Sequence, residues 1–271
     1  MIIQGDIVNT ELRVIVSNIE KYRHLHRLVP YFIAEDPDVM LLQEVPFSIV
    51  PYLASRLHAD ARFVPMGIMS PPEGSEIMGL ATLVRHDKNE DRRLSIRSYG
   101  EVCYRRVVHN EGLFPVLRKE NNFACNSFVQ HVEVVKQGAS FVLGNTHFPW
   151  TPKGQPDPVQ WECMPRLVQI AKVLRPILCG DFNAPRVQQD GTKGVMWDML
   201  AAEFDDNIPM GEITTLDASL HRASIDGVAL PLVVDGVFTP RMPKDYHIRE
   251  LKVVPGLSDH KVISFVVRRV S

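Results

Sequence analysis

The chain has 271 residues, a formal net charge of −2, 45% hydrophobic residues and 23% charged ones. That balance is the balance of a soluble globular protein, long enough to bury a sizeable core within one layered domain. It excludes a strongly basic nucleic-acid coat, while a local basic cleft stays compatible with it. The four cysteines, Cys103, Cys125, Cys163 and Cys179, show no CxxC spacing, which argues against a zinc site and against a dense disulfide framework. A reducing, cytoplasmic setting is the simplest context for them. The first residues carry acids early and lack the basic-then-apolar design of a secretory leader, and no run approaches bilayer-spanning length.

Leu12 to Asn18 (LRVIVSN) is a β-rich run that ends on polar residues, so it predicts a buried strand delivering Asn18 to a sheet edge. Leu25, Leu28, Val29, Phe32 and Ile33 then fall on a helical stripe interrupted by Pro30. Asp38 to Leu42 is a second apolar strand, ending at Gln43-Glu44 and closed by Pro46. Strand, helix and strand in so short a span predict a βαβ-like, layered opening. Glu44 reads either as a solvated strand end or as a metal carboxylate at the rim of a sheet, where the sheet fixes a side chain and the loop leaves space. Ile49, Leu53 and Leu57 predict a short helix, and Pro65 to Ser75 an irregular loop. Gly79 to Val84 predicts a strand, with Leu94 to Tyr99 as its partner across the charged turn His86 to Arg93. Arg105 to Asn122 has no clear period and reads as a surface loop.

Phe128 to Val135 and Ser140 to Asn145 predict an antiparallel hairpin, and the second strand runs on into Asn145-Thr146-His147. Pro149, Pro152, Pro156 and Pro158 stiffen the next loop, which walls a cleft or covers a sheet end. Leu167, Ile170, Ala171 and Leu174 make a helix that leads into Ile177 to Arg186 (ILCGDFNAPR). There a short apolar strand meets Gly180, and Asp181 and Asn183 follow at i and i+2, on one face if the chain stays extended. Such a pair holds a hard cation, a water or a phosphate oxygen; it serves equally as a turn. Trp197, Leu200, Ala201 and Phe204 predict another helix. Val233 to Phe238 is a strand with an acid inside it, and a lone buried carboxylate is costly, so Asp235 needs a partner, most economically a histidine. Ile248 to Val253 and Lys261 to Val267 predict the last strands, with Ser258-Asp259-His260 between them. No repeat, low-complexity tract or linker interrupts the chain, so residues 1–271 read as a single domain.

Polar clusters therefore stand at five strand ends: Asn18, Glu44, Asn145 with His147, Asp181 with Asn183, and Asp259 with His260. In this order Ser17-Asn18, Leu42-Gln43-Glu44, Gly79 to Leu83, Asn145 to His147, Gly180 to Asn183, Asp235 to Phe238 and Ser258 to His260 span nearly the whole chain. On these residues it resembles the endonuclease/exonuclease/phosphatase superfamily, metal-dependent phosphoesterases with the pancreatic-deoxyribonuclease-like fold. The resemblance implies an α/β (α+β) fold: a four-layer α/β/β/α sandwich, two face-to-face mixed β-sheets flanked by helices, with the site at one end. It implies a Mg²⁺- or Mn²⁺-dependent hydrolase of a phosphodiester, a nuclease or DNA-processing phosphodiesterase first, with a lipid head group, inositol phosphate or small phosphorylated metabolite as the alternative substrate. A non-catalytic binding module is the reading from a different class.

The chemistry asks for such residues. A phosphodiester is anionic, so its hydrolysis needs a cation, a positioned water and a proton donor, and hard oxygen ligands favour Mg²⁺ or Mn²⁺. By the resemblance, Glu44 is the principal metal ligand and Asn18 and Asp259 lie in or near its shell, with Asp181 and Asn183 able to help hold a second ion. Asp181 orients and deprotonates the water, and Asn183 holds the water or a phosphate oxygen. His260 donates to the phosphate while Asp235 fixes its tautomer. His147 contacts the phosphate or protonates the leaving oxygen. Asn145 is a candidate substrate-binding residue or a loop-bonding one. Thr215, Arg222 and Trp197 are further cleft candidates, packing being the plainer reading of Trp197. Near-neutral charge weakens a long-duplex nuclease and leaves short or damaged DNA or a nucleotide as partner; no obligate protein partner is expected. The chain departs from the family pattern at Ser17, where many members carry an aromatic residue, at Gly236, where many carry a tyrosine, and at Cys125 to Ser127, where some branches carry an arginine.

Overall fold

The computed structural model describes residues 10–69, 76–86, 94–107, 116–117, 125–221, 224–225, 228–242 and 245–269. The strands are β1 (Glu11–Asn18), β2 (Val39–Pro46), β3 (Ala59–Met69), β4 (Glu76–Arg85), β5 (Leu94–Arg105), β6 (Val116–Leu117), β7 (Ser127–Lys136), β8 (Ala139–His147) and β9 (Ile177–Asp181). They continue with β10 (Phe204–Asp206), β11 (Ser224–Ile225), β12 (Val228–Ala229), β13 (Asp235–Pro240), β14 (Tyr246–Val254) and β15 (Val262–Arg269). The helices are α1 (Leu25–Glu35), α2 (Val50–Leu57), α3 (Pro158–Leu174) and α4 (Val195–Glu203). One mixed sheet runs β14-β15-β1-β2-β4-β3-β6, the other β10-β13-β9-β8-β7-β5, and β11 pairs β12 in a small ribbon.

Side-chain alternation builds the layers. On β1 and β2, Leu12, Val14, Val16, Val39 and Leu41 join Val129, Val132, Phe141 and Leu143 of the facing sheet in one buried cluster. The intervening Ile15, Met40 and Leu42 pack with Leu28, Val29 and Phe32 of α1 and Leu53 and Leu57 of α2. On the far side Met164, Leu167 and Ala171 of α3 and Met196, Trp197 and Leu200 of α4 close the second sheet. The result is the four-layer sandwich. Parallel β1 and β2, joined by α1, make the βαβ-like opening. Pro30 sits inside α1 without ending it, and Ile33 is exposed, so the apolar stripe of α1 is narrower than its sequence suggests.

Three expectations are corrected. β5 does not partner β4: it lies at the edge of the second sheet, antiparallel to β7, while β4 runs between β2 and β3. Adjacency in the chain misleads here because the connection changes sheets; residues 87–93 of the expected turn lie outside the described residues. Pro65 to Met69 is strand, not loop, with a register shift between Pro65 and Gly67 accommodating the proline. Arg105 belongs to β5 and Val116–Leu117 pairs β3, while most of 108–124 lies outside the described residues.

The topology gathers one rim. β1 and β2 are parallel, with Asn18 opposite Gln43. β8 and β9 are also parallel, with His147 opposite Asp181. β13 is antiparallel to β9 and starts with Asp235 opposite that same Asp181. The ends of four strands and the start of a fifth thus meet, which is where loop-borne chemistry finds a rigid support.

Candidate active site

Asp181 is the hub of the rim and is 1% exposed. Its Oδ1 accepts the Asn183 N–H at 2.8 Å and its Oδ2 accepts Asn18 Nδ2 at 3.1 Å. His147 Nε2 lies 3.5 Å from that oxygen and His260 Nε2 3.7 Å from it. The sequence around it explains the placement. Gly180 has φ +144°, and a Cβ there would lie 1.9 Å from the Thr146 carbonyl oxygen, so β9 approaches β8 only with glycine at this point. Phe182 turns away from the rim and packs edge-on to Phe238 and Trp197, anchoring the two polar residues that flank it. Asn183 takes a left-handed backbone, φ +46°, and its Nδ2 donates to the Phe148 carbonyl at 2.9 Å.

Glu44 reaches the rim through a local irregularity. In a regular strand it would point to the helix side with Leu42. Instead the register against β4 shifts between Leu42 and Val45, and Glu44 has φ +53°. A bulge re-aims a side chain, and a left-handed non-glycine residue costs energy that accumulates at functional positions. Its Oε1 lies 3.5 Å from Asn18 Nδ2. Burial raises the Glu44 carboxyl, and the Asp259 and Asp181 charges raise it further against the pull of His147 and His260.

Asp235 has the histidine partner its burial demands. His260 Nδ1 sits 2.9 Å from Asp235 Oδ2 and 3.1 Å from Oδ1. Burial alone would lower His260, but the Asp235 and Asp181 charges outweigh it and hold the imidazole well above its usual value. His147 is raised as well: burial pulls it down, while the Asp181 hydrogen bond and the Asp181 and Glu44 charges pull it up. In turn, burial opposes ionisation of Asp181, but the His260 and His147 charges and the Asn183 N–H hold its carboxyl at about 2. The rim therefore sets the Asp181 carboxylate between two imidazoles whose protonated forms it favours, with the Glu44 carboxyl close by.

The donor set fits a hard cation. Glu20, His24 and Asp259 present ligand atoms that all lie within 4.8 Å of one another, Glu20 and His24 already paired at 2.8 Å, and the Asp259 charge acts on a Glu44 carboxyl whose ionised form its surroundings disfavour. Glu20 and His24 escape a reading of strand-end motifs, because they sit in the loop after β1 and at the cap of α1; the acid two residues past Asn18 is the signal that finds them. Asn18 sits among the carboxylates. Its Oδ1 accepts the Glu20 N–H at 3.2 Å and its amide nitrogen faces Glu44 and Asp181, so it ties the carboxylates together. Asp181, Asp235 and His260 also cluster within 4.8 Å, with Asp235 bonded to His260 Nδ1 and Asp181 Oδ1 accepting the Asn183 N–H.

Asn145 is not at the cleft. It is fully buried between the sheets, its Oδ1 accepting Gln43 Nε2 at 2.7 Å and its Nδ2 donating to Leu42 O, Ala81 O and Gln130 Oε1. Both amide hydrogens are spent and the side chain is sealed between the sheets, away from substrate. Trp197 packs in the core and donates to Asp206 at 2.9 Å. Thr215 is fully buried behind Asp235, and Arg222 lies outside the described residues. His221, unforeseen, lays its ring against that of His260 at a centroid distance of 6.0 Å. The Gly236 departure also has a local reason: a Cβ there would lie 2.9 Å from the Phe182 ring and 2.7 Å from that of Phe238, so these aromatics take the space.

No family model matches the chain, and no curated protein matches it by sequence. Solved structures do. An endonuclease/exonuclease/phosphatase family protein from Bacteroides thetaiotaomicron superposes with a TM-score of 0.65 at 15% identity, covering 97% of this chain and 99% of that one. The human Nocturnin catalytic domain with a bound sulfate anion gives 0.63 at 17% identity, over 96% and 94%. ANGEL2, a 2′,3′-cyclic phosphatase in complex with adenosine-2′,3′-vanadate, gives 0.63 at 13% identity, over 97% of each chain. The chain has the endonuclease/exonuclease/phosphatase fold along almost all its length.

Proposed function

We propose that the rim cluster is the active site of a Mg²⁺- or Mn²⁺-dependent phosphoesterase that hydrolyses a phosphodiester. The observation that carries this reading is the sharing of Asp181 Oδ2 by Asn18, His147 and His260. It places two imidazoles, whose protonated forms it favours, on either side of one carboxylate. Glu44 and Asp259, with Glu20 and His24 beside them, would hold the cation, which supplies neutralisation of the phosphoryl oxygens and leaving group when bound.

The chain's own residues then divide the work. Asp181 aligns a water for attack on phosphorus and accepts its proton. Its proton affinity is low in the free protein because two imidazolium charges face it; an incoming phosphate anion offsets those charges and raises it. His260, held by Asp235 through Nδ1, directs Nε2–H to a non-bridging oxygen. His147 gives its proton to the ester oxygen as the P–O bond breaks. Asn183 is held through its amide nitrogen, which leaves its carbonyl oxygen as an acceptor for the water.

Nucleic acid or a nucleotide is the favoured substrate class. A structural neighbour binds an adenosine 2′,3′-vanadate, and the near-neutral net charge suits a short ligand better than a long duplex. The cysteine spacing favours a reducing, cytoplasmic setting, and among the described residues no helix is long and apolar enough to cross a membrane. A panel of single- and double-stranded DNA, RNA, cyclic nucleotides and phosphoinositide and sphingomyelin vesicles, each with Mg²⁺, Mn²⁺ or EDTA, tests this reading. Metal-dependent release of product from a nucleic acid or nucleotide supports it; turnover confined to the vesicles moves the substrate to lipid, and turnover that survives EDTA defeats it.

A further inference from the structure

Behind the Asp235–His260 pair, away from the cleft, residues 214–217 thread between the start of β13 and the segment that carries His260. The Thr215 N–H donates to Leu232 O at 3.0 Å and its carbonyl accepts the Lys261 N–H at 2.7 Å. Leu216 forms a bridge with His260, and the Asp217 N–H donates to Asp259 O at 2.7 Å. One short segment therefore grips both chains that bring Asp235 and His260 together.

The Thr215 side chain completes the grip. Its Oγ1 accepts the Val234 and Asp235 N–H groups, each at 3.0 Å, and its hydroxyl hydrogen goes to the Asp235 carboxylate. With its acceptor positions taken by two backbone donors, the hydroxyl has one hydrogen and a fixed direction for it. Thr215 is fully buried, so water does not replace that bond. The chain of contacts runs Thr215 Oγ1–Asp235–His260 Nδ1, and from His260 Nε2 to Asp181 at 3.7 Å.

We propose that Thr215 is a positioning residue for the reaction: its hydroxyl fixes the Asp235 carboxylate, and through it the tautomer and ring direction of His260. Thr215 touches no reacting atom. Removing its hydroxyl frees the Asp235 carboxylate to rotate and loosens the Nδ1 hydrogen bond, so His260 Nε2 loses its aim at the phosphate. The role assigned to His260 rests on the phosphoesterase reading, whereas the geometric effect on His260 does not.

The test is the ¹⁵N-labelled full chain as wild type, Thr215→Ser, Thr215→Ala and Asp235→Asn, with and without the Thr215→Ala change. Two readouts are taken: the downfield Nδ1 proton of His260, identified by its loss in His260→Ala, and kcat and KM on a phosphodiester. Wild type and Thr215→Ser are expected to keep the resonance and kcat. Thr215→Ala is expected to lose the resonance and about 10- to 100-fold in kcat, the usual scale for a group that orients a catalytic one, with KM little changed. In the Asp235→Asn background Thr215→Ala should cost nothing further. A Thr215→Ala protein that keeps both signals overturns the proposal. So does a serine variant that falls as far as alanine, or an alanine change that costs as much again without Asp235. If the alanine variant does not fold, Thr215→Val replaces it, and Thr215→Ser decides if neither folds: retention of the resonance supports the proposal and loss overturns it. If no form turns over any phosphodiester, the functional reading fails and the His260 resonance alone still decides for Thr215.

Discussion

Gln43 and Glu44 are neighbours on β2, and Asn145 and His147 are two apart on β8, yet one of each pair belongs to the seam between the sheets and the other to the rim. In the seam, Gln43, Asn145, Gln130 and Thr82 form a neutral amide and hydroxyl network. Its members bond to one another and to backbone carbonyls, apart from Gln43 Oε1, which finds no partner among the described residues. At the rim, Glu44, His147, Asp181 and His260 are ionisable, close together and shifted in pKa by each other. Both regions are buried and polar. The seam spends its hydrogen-bonding capacity on holding two sheets in register, while the rim keeps charge at a cost that folding alone does not require.

That contrast sets the expected effects of substitution. The largest is on activity at the rim: Asp181→Asn or His260→Ala should lower kcat by about 10²- to 10⁴-fold on a phosphodiester, in an assay that first establishes that each variant is folded. Asn145→Ala should do the reverse. It leaves buried partners unpaired and should cost about 1–3 kcal/mol in urea unfolding, with kcat near that of wild type. A kcat collapse in a folded Asn145→Ala protein would return Asn145 to the substrate site.

Glu44→Gln sharpens the comparison because it separates stability from function. Without metal, the variant loses an anion that its surroundings disfavour and should be the more stable protein in urea unfolding. It should also lose the rise in Tm that Mg²⁺ or Mn²⁺ gives the wild type, since that rise measures binding to the folded state. A wild type whose Tm ignores both cations would break the metal assignment.

The smallest effect is the pH dependence of stability in EDTA. His147 and His260 are raised, so their contribution is full below the ordinary value of 6.5 and fades as pH rises through their higher folded values. Glu44 is raised as well, so its ionisation begins to cost the folded state above its ordinary value of 4.5, before the histidine contribution starts to fade. Asp181 is depressed from 3.8 to about 2, so its contribution is present above 3.8 and lost as pH falls toward 2. Urea midpoints should therefore rise to about pH 4, decline from about pH 4.5 as Glu44 ionises and fall further above about pH 6.5, and Asp181→Asn should flatten the acid limb. A midpoint still climbing through pH 8 would contradict these signs.

Much of the rim is legible in the sequence because each component stands where an apolar strand stops. Gly180-Asp181-Phe182-Asn183 and Ser258-Asp259-His260 are short, local signals, and the cost of burying Asp235 alone asks for a histidine. What stays hidden depends on contacts across layers. Asn145 looks like a strand-end polar group, and only the facing sheet shows that Gln43, Gln130 and two carbonyls consume it. Asn18 reads as a strand-end amide, and only the folded rim shows its nitrogen facing two carboxylates. Glu20 and His24 lie in a loop with no period to mark them. β5 was assigned to the wrong neighbour because strand order within a sheet is decided by packing rather than by succession in the chain, and the Pro65–Gly67 bulge made a strand look like a loop.

The most direct measurement is turnover of bis-p-nitrophenyl phosphate by the wild type and by Glu44→Gln, each with Mg²⁺, with Mn²⁺ and in EDTA. Turnover by the wild type in metal, abolished by EDTA and by Glu44→Gln while that variant remains folded, is the predicted result. Equal turnover by both proteins, or turnover that persists in EDTA, would contradict a metal-dependent phosphoesterase site at this rim.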